Sequence, residues 1–489
     1  MCGILYAESP TTTEFAKSFM TLKNRGPDDH SIYPIVNCVM GHTRLAIHSP
    51  SQSKQPFTRG PWVLIFNGEI YMPGDGKMIL DMVEKHGPLE APKHLDGIFA
   101  YVLYNKKTLA VYATRDPIGV CPLFKGLYNG KLWIASEAKA LQHCDEVKIV
   151  QPGHVNIHRY TRDYPRLSTK ACDLNLLENL LVGAVRRRVP KVPWGVLLSG
   201  GLDSSIICGI LSRINLPREY PAIHSFSIGL KDSPDLVHAR KQAELCNTVH
   251  HEIIYTEKEG LDRLQDVIYA IESYDVTTVR ASVPMFLLAE QIKKHGVKVV
   301  LSGEGSDELF GGYLYNRFCP SELELQKEII RKMEDLHYYD CCRCNKSTAV
   351  HGIECRVPFL DKTFVNYAMN LDPIEKESTN QIEKKILREA FKDYLHPDIY
   401  KRQKAQFSDA VGSKWIESLK RHAKDEPIKK YDFQTPVTHE AALYRRLFAE
   451  KFKHDTICKY HDDTVACSSA SAHKWSSFEC DPSAKSLYK

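Results

Sequence analysis

The chain has 489 residues, of which 43% are hydrophobic and 26% charged. That balance is ordinary for a folded globular protein and excludes a largely disordered or collagen-like chain. Sixty-five Lys and Arg against 60 Asp and Glu leave a formal charge of +5, too little over this length to argue for a nucleic-acid partner. No run of about eighteen apolar residues occurs, so no membrane-spanning helix is expected. At about 150 residues per domain, the length suggests roughly two to four domains.

The first 160 or so residues have their own texture. Ser9 to Asn24 reads as a helix, stopped before Arg25-Gly26-Pro27. Short strand-like runs follow at Trp62–Phe66, Ile98–Tyr104 and Leu109–Ala113, each bounded by Gly, Pro, Asn or Asp. That is the pattern of packed antiparallel sheet. Met78 to Pro88 fits a helix after the first of them. The polar segment Arg159–Pro165 is the best linker.

From about Cys172 onward, helices alternate with short apolar strands. Leu174–Arg188 is helix-like, Trp194–Leu198 a buried strand, Ser204–Ile214 a helix and Ala222–Ile228 a strand. Val283–His295 is helical and Val297–Leu301 is a further strand. Such alternation predicts a parallel sheet with helices on both faces. The basic run Arg186–Arg188 reads as a solvated helix face. The tail after Asp455, rich in Ser, Lys and Asp, is expected to be partly mobile.

Fifteen cysteines are scattered along the chain. The opening Met1–Glu8 lacks a basic n-region and a long apolar stretch, so a reducing cytoplasm and thiols are expected. Cys341-Cys342-Arg343-Cys344 is formally a C-x-x-C motif. No second such pair accompanies it, and idle thiols are preferred over a zinc site.

Two constellations carry chemistry. Cys2 directly follows Met1 and is small, so removal of Met1 would leave it with a free α-amine. Such an amine, of reference pKa near ~8, can take the thiol proton. Asn67-Gly68 can supply a side-chain amide and a backbone N–H to an oxyanion, although the same pair is also a hairpin signal. Arg44 could grip a carboxylate, or form a surface ion pair, and Glu69 with Asp75 could hold an ammonium group. Together these suit a free amino acid such as glutamine.

The segments Met1–Ile4, Arg25–Asp28, Gly41–Ile47, Asn67–Tyr71, Leu95–Ala100 and Arg115–Gly119 occur in this order. In them the chain resembles the glutaminase domain of class II, N-terminal-nucleophile amidotransferases. The resemblance implies an αββα Ntn-hydrolase sandwich with Cys2 as nucleophile and Asn67 with Gly68 as oxyanion hole. It implies Arg44, Leu45, Ala46, Ile47, His48, Glu69 and Asp75 around the glutamine. The chain departs from that pattern twice. Only Met72-Pro73-Gly74 precedes Asp75, and His48-Ser49 replaces the more usual Val-Asp.

The second constellation is Leu197–Ser205, a strand-to-helix loop with two glycines and three serines that can cradle a phosphate. No Lys closes it, so it is not the Gly-Lys-Ser/Thr P-loop. Asp203 within it suggests magnesium bound with ATP. Leu301–Tyr313 is a second loop after a strand, with Glu304 and Asp307 among glycines. Both are acid/base or metal candidates, with capping of the next helix as the alternative.

With Ser233–Leu236, Tyr274–Thr278, Glu354–Asp361 and Arg402–Phe407 added, the chain resembles the glutamine-hydrolysing asparagine synthetases from Cys2 to about Glu450, with a weaker echo at Thr464–Ser469. The resemblance implies a glutaminase domain over residues 2–165 and a parallel-sheet α/β ATP-pyrophosphatase domain, adenine nucleotide α-hydrolase-like, over 166–455. A tail covers 456–489. It implies ATP as co-substrate, Mg2+, aspartate, and glutamine or ammonia; a homodimer is the family expectation. Leu197 and Ile228 would flank adenine or ribose, and Ser199, Gly200, Gly201, Ser204 and Ser205 would cradle pyrophosphate. Ser302 and Gly303 would border the nucleotide, and Asp203 and Asp307 would hold the metal. Glu304 would be the base for ammonia, and Lys404 would neutralise the departing pyrophosphate. Tyr274–Arg280 and Ser233–Asp235 are candidates for the aspartate pocket.

Three alternatives stay open. One is a β-lactam synthetase-like enzyme acting on another carboxylate. Another is a degenerate, non-catalytic paralogue. The third is a synthetase that prefers free ammonia.

Overall fold

The computed structural model describes residues 1–48, 54–217, 220–377, 382–404, 407, 411–412, 414–459 and 472–475. The Thr464–Ser469 segment and most of the expected tail lie outside the described residues. The described chain forms two compact units. Neither unit is continuous in sequence: residues 345–354 and 449–458 belong with Met1–Asp163. Within that first unit Glu354 Oε2 lies 3.2 Å from the Met1 ammonium, and Asn345 receives Arg25 Nη2 at 3.0 Å.

The first unit is built on two six-stranded sheets. Its strands are β1 Gly3–Glu8, β2 Asp29–Ile35, β3 Cys38–Arg44, β4 Phe57–Arg59, β5 Trp62–Ile70, β6 Gly97–Asn105, β7 Val111–Arg115, β8 Phe124–Tyr128, β9 Lys131–Ala135, β10 Glu146–Ile149, β11 His154–Val155 and β12 His158–Arg159. The sheet orders are β10-β8-β9-β1-β3-β2 and β12-β11-β7-β6-β5-β4. The paired strands run antiparallel, as the alternating runs predict. β1 and β3 face β5 across the sandwich. Helix α1 (Thr12–Met20) covers one outer face, where a Cβ on Gly41 would lie 2.7 Å from the Phe19 ring. Helix α2 (Gly76–His86) covers the other, sinking Ile79, Leu80 and Val83 among Phe66, Phe99 and Leu103. The layers are therefore αββα.

The early helix is shorter than its Ser9–Asn24 reading. Thr11 and Glu14 close a capping box at its start, and a separate 3-10 turn covers Lys23–Arg25. Arg115-Asp116, part of a family-like motif, is structural. Buried Asp116 accepts N–H bonds from Gly119 at 2.7 Å and from Ile118 and Val120 at 3.1 Å. Arg115 donates to the carbonyls of Cys121 at 2.6 Å and Gly119 at 2.7 Å. The two side chains thereby fasten one loop from both backbone directions.

The second unit carries a five-stranded sheet in the order β15-β14-β13-β16-β17. The strands are β13 Trp194–Leu197, β14 His224–Gly229, β15 Val249–Ile254, β16 Val299–Leu301 and β17 Glu354–Arg356. β15, β14, β13 and β16 pair in parallel. Helices α3 (Leu174–Arg188), α4 (Leu202–Arg213), α5 (Pro234–Leu245) and α6 (Val276–Lys294) connect or flank them. The crossovers α4 and α5 force the parallel arrangement and bring the loops after β13 and β16 to one edge.

One local expectation fails. Arg186 and Arg187 are exposed, but Arg188 is buried, because its Nη1 donates to Asp361 Oδ2 at 2.8 Å and to Ala184 O at 3.0 Å. Among the described residues no helix is long and apolar enough to cross a membrane.

Candidate active sites

In the first unit, β1 opens at Gly3, so Cys2 sits at the strand entrance. Arg25 Nε donates to Cys2 O at 3.0 Å while its Nη1 pairs with Glu137 at 2.8 Å, which fixes the backbone that carries the thiol. Burial pushes the Cys2 thiol up, and the chain-terminal ammonium and the Leu45 N–H pull it back.

Asn67 and Gly68 lie inside β5, opposite Ala100 and Phe99, not in a hairpin and not past the strand's end. Gly68 has φ +134°, and a Cβ there would lie 2.0 Å from Ile98 O. Glycine is therefore required where the neighbouring strand comes closest. Asn67 is fully buried, and neither its Nδ2 nor its Oδ1 has a protein partner. A buried amide with both ends unpaired is costly unless a ligand completes it.

The charged grips cluster nearby. Arg44, buried at the end of β3, donates from Nη2 to His48 O at 2.7 Å. His48 Nε2 lies 2.9 Å from Glu69 Oε1, and the ligand atoms of His48, Glu69 and Asp75 are all within 4.8 Å of one another. Asp75 Oδ1 accepts Ile70 N–H at 3.1 Å. Burial and the neighbouring Glu69 push its carboxyl up to about 7. Ala46 N–H is held by Asp28 at 2.6 Å, and Ile47 N–H by Leu45 O at 3.1 Å, which shapes the turn carrying His48. Ser49 lies outside the described residues.

In the second unit the loop between β13 and α4 is shaped by its own serines. Ser204 Oγ accepts Ser199 N–H at 3.2 Å and lies 3.1 Å from Ser199 Oγ. Gly200 has φ +71°, and a Cβ there would lie 2.4 Å from Ala239 N. Ser205 is buried with its hydroxyl unpartnered. The twelve-residue helix α4 begins here and aims its first N–H groups at the cavity. Leu197 and Ile228 line that cavity from the ends of β13 and β14, and Ser302 and Gly303 line it after β16. A Cβ on Gly303 would lie 2.8 Å from Ser204 N, so the two loops touch.

Glu304 and Asp307 of the second loop are both ion-paired, and so is Asp203 of the first. Lys384 Nζ contacts Asp203 Oδ1 at 2.7 Å and Oδ2 at 2.6 Å, and Asp307 Oδ1 at 2.5 Å. Lys404 Nζ pairs with Asp307 Oδ2. Burial alone would raise Asp307, but Lys384 and Lys404 hold it well below the usual carboxylate range. Arg343 Nη2 grips both oxygens of Glu304 at 2.7 Å. Burial pushes Glu304 up against that pull.

Comparison with known proteins fits this pair of sites. Two glutamine amidotransferase family models match residues 1–73 and 72–143, and an asparagine synthase model matches 176–322 and 316–477. The chain is 40% identical to the glutamine-hydrolysing asparagine synthetase 2 of Oryza sativa subsp. japonica, over 99% of this chain and 92% of that one. It is 41% identical to the glutamine-hydrolysing asparagine synthetase B of Escherichia coli (strain K12), over 93% of this chain and 91% of that one. It belongs to the glutamine-hydrolysing asparagine synthetase family.

Several residues that line the second unit's cavity escape a sequence reading. Lys384, Arg343 and Glu383 are among its lining but stand in no glycine-rich motif. Lys384 is placed by a left-handed residue conformation, φ 57°, at the start of a short helix. Arg402 donates to Gly200 O at 2.8 Å and pairs with Asp235, tying Arg402 to the Ser233–Leu236 segment and to the loop between β13 and α4. The Ser233 and Arg402 segments were each visible, but not their contact.

Proposed function

We infer that the first unit releases ammonia from glutamine, and that the second joins ammonia to aspartate at the expense of ATP. With Met1 removed, the Cys2 α-amine takes the thiol proton and the sulfur attacks the glutamine amide carbon. The oxygen of the tetrahedral intermediate then accepts from Asn67 Nδ2 and Gly68 N–H. The proton passes to the leaving nitrogen, the C–N bond breaks and ammonia departs. Water hydrolyses the thioester to glutamate. Arg44 pairs with the substrate carboxylate, and Glu69 and Asp75 with its ammonium. The observation that carries this reading is the buried Asn67 amide, whose donor and acceptor are both unpartnered beside the thiol-bearing strand.

In the second unit the aspartate β-carboxylate attacks the α-phosphorus of ATP, and the bond to pyrophosphate breaks. Ser199, Ser204, Ser205 and the N–H groups of α4 receive the pyrophosphate oxygens. Lys404 balances the charge that leaves with them. Ammonia then attacks the β-aspartyl carbonyl of the acyl-adenylate, a proton passes to Glu304, and AMP leaves with its electron pair.

Asp203 and Asp307 fit a magnesium ion. Both carboxylates already converge on one cation, the Lys384 ammonium, and a hard divalent cation takes oxygen ligands. When bound, that ion would shield the ATP phosphates from these two carboxylates.

A second reading, a synthetase that favours free ammonia, is supported by His48. Its imidazole pairs with Glu69, which the substrate ammonium would otherwise use. One assay separates the readings. The protein is incubated with ATP, magnesium and aspartate, with glutamine or ammonium as donor, alongside Cys2→Ala, and asparagine, AMP and pyrophosphate are measured. Stoichiometric asparagine and AMP from both donors, with only the glutamine reaction lost in Cys2→Ala, is the expected result. Product from ammonium alone supports the second reading. No pyrophosphate with either donor overturns both.

A further inference from the structure

The C-x-x-C motif does not work as a pair. Cys342 Sγ points at Ile271 O, 3.2 Å away, and among the described residues no third ligand joins Cys341 and Cys344 into a metal cluster. Instead Cys344 meets a cysteine from outside the motif. Its Sγ lies 2.8 Å from Cys355 Sγ, well inside van der Waals contact, and both residues are almost wholly buried. A disulfide needs sulfurs at about 2.05 Å and Cβ atoms at about 3.8 Å, so the two thiols require little further approach.

The two cysteines flank the synthetase loop. Cys344 lies on helix α7 (Asp340–Ala349), directly after Arg343, which grips both oxygens of Glu304 at 2.7 Å. Cys355 lies on β17 directly before Arg356, whose carbonyl accepts Ser302 N–H at 2.9 Å. One sulfur therefore rides with the residue that orients Glu304. The other rides with the strand that supports the loop bearing Glu304.

We propose that Cys344 and Cys355 form a reversible disulfide that slows the synthetase half-reaction by displacing Arg343 against Glu304. The oxidant is a peroxide. One sulfur attacks its O–O bond, becoming a sulfenic acid as the first water leaves. The second sulfur attacks that sulfenic sulfur and expels the second water. The two thiols give up two electrons and two protons, and a dithiol reductant returns them. Arg343 lines the cavity above the loops while both cysteines are buried behind it, so a small oxidant reaches them through local opening of this wall. Drawing the sulfurs together shifts the Arg343 backbone by a fraction of an ångström, and a misplacement of about 1 Å can cost ~10²-fold in rate.

The effect on rate rests on the role proposed above for Glu304; the bond itself does not. Full-length protein is treated with hydrogen peroxide, alkylated without reduction and mapped by mass spectrometry. In parallel, asparagine synthesis is measured with ammonium as donor, so that oxidation of Cys2 is not read. A cross-linked peptide pair carrying Cys344 and Cys355 is expected, with ammonia-dependent synthesis falling at least about fivefold and recovering in dithiothreitol. Cys355→Ala and Cys344→Ala should each lose the cross-link, and Cys355→Ala should keep its rate under peroxide. Absence of the cross-linked peptide overturns the proposal. So does an equal loss of rate in Cys355→Ala, or a cross-link that leaves the rate unchanged. Failure of the Glu304 role alone shows as synthesis that Glu304→Gln does not slow.

Discussion

Lys384 holds two carboxylates of different loops together: its Nζ lies 2.6 Å from Asp203 Oδ2 and 2.5 Å from Asp307 Oδ1. Asp203 belongs to the first turn of α4 and Asp307 to the loop region after β16. Without the ammonium, two nearby carboxylates would repel each other inside the cavity. Lys384→Ala should therefore lower ammonia-dependent asparagine synthesis by about 10²-fold, since a buried charge facing the reacting phosphates is lost. Glutamine hydrolysis should stay within about twofold, because no described contact of Lys384 reaches the first unit's site. Assaying glutamate and asparagine separately checks this. Ammonia-dependent synthesis within about threefold of the parent would refute the role.

Asn67 and Gly68 are neighbours with opposite dependencies. The Asn67 amide bonds to nothing in the protein, so its truncation removes no internal hydrogen bond. Asn67→Ala should lower the glutaminase kcat by ~10²–10³-fold while leaving the melting temperature no lower. Gly68→Ala places a methyl group 2.0 Å from Ile98 O at φ +134°. It should destabilise the first unit by about 2 kcal/mol or more, read by chemical denaturation. If Asn67→Ala melts earlier and hydrolyses glutamine normally, the amide is a packing group only.

These contrasts show what the sequence could and could not tell. Leu174–Arg188 was legible to the residue, because Asp173 caps it and Leu177, Leu181, Ala184 and Val185 recur on one face. The two phosphate-side loops were legible because glycine and serine clusters after apolar runs have few other uses. The start of α6 was not. The sequence reads as helix only from Val283, yet Asp275 caps Thr278 N–H at 2.9 Å and the helix runs through Pro284. Asn67-Gly68 looked like a turn because its dipeptide favours one, and only the β5–β6 register overrides that preference. Lys384 and Arg343 could not be found at all. Ion-pair partners remote in the chain leave no spacing to read, as the separation of 181 residues between Asp203 and Lys384 illustrates.

Arg343 holds both oxygens of Glu304 through a single nitrogen, Nη2, at 2.7 Å. Glu304→Gln keeps the shape but cannot take a proton from the attacking ammonia. It should cost ~10²–10⁴-fold in ammonia-dependent turnover. Arg343→Lys keeps the charge on a shorter side chain that must reach the same two oxygens, so it should cost less, on the order of 10-fold, and mainly in kcat. Pyrophosphate release without ammonium separates the two steps. If Glu304 acts only on ammonia, Glu304→Gln should still form the acyl-adenylate, seen as exchange of labelled pyrophosphate into ATP. Loss of that exchange to the same degree as synthesis would place Glu304 in adenylation instead.

Asp75 links pH to both stability and substrate binding in the first unit. Its carboxyl is raised from 3.8 to about 7, first by burial and then by Glu69. Between those values the unfolded chain has lost a proton that the native state keeps, so this group's contribution makes the native state less stable as pH rises through the window. Above about 7 both states are ionised and the penalty is constant. Asp75→Asn cannot ionise and can still accept the Ile70 N–H that Oδ1 receives at 3.1 Å. Its melting temperature should match the parent near pH 4, exceed it increasingly up to about pH 7 and by a constant margin above that, by differential scanning calorimetry. Glutamine binding runs the other way, because the substrate ammonium needs the carboxylate. In the parent, KM for glutamine should fall as pH rises through about 7, close to tenfold per unit on the acid side. In Asp75→Asn it should be high and flat over that range. The ammonium-dependent reaction bypasses this pocket, so its KM, expressed as free ammonia, should be the same in the parent and in Asp75→Asn at each pH. A parent KM that does not change between about pH 6 and about pH 8 would remove Asp75 from the ammonium grip.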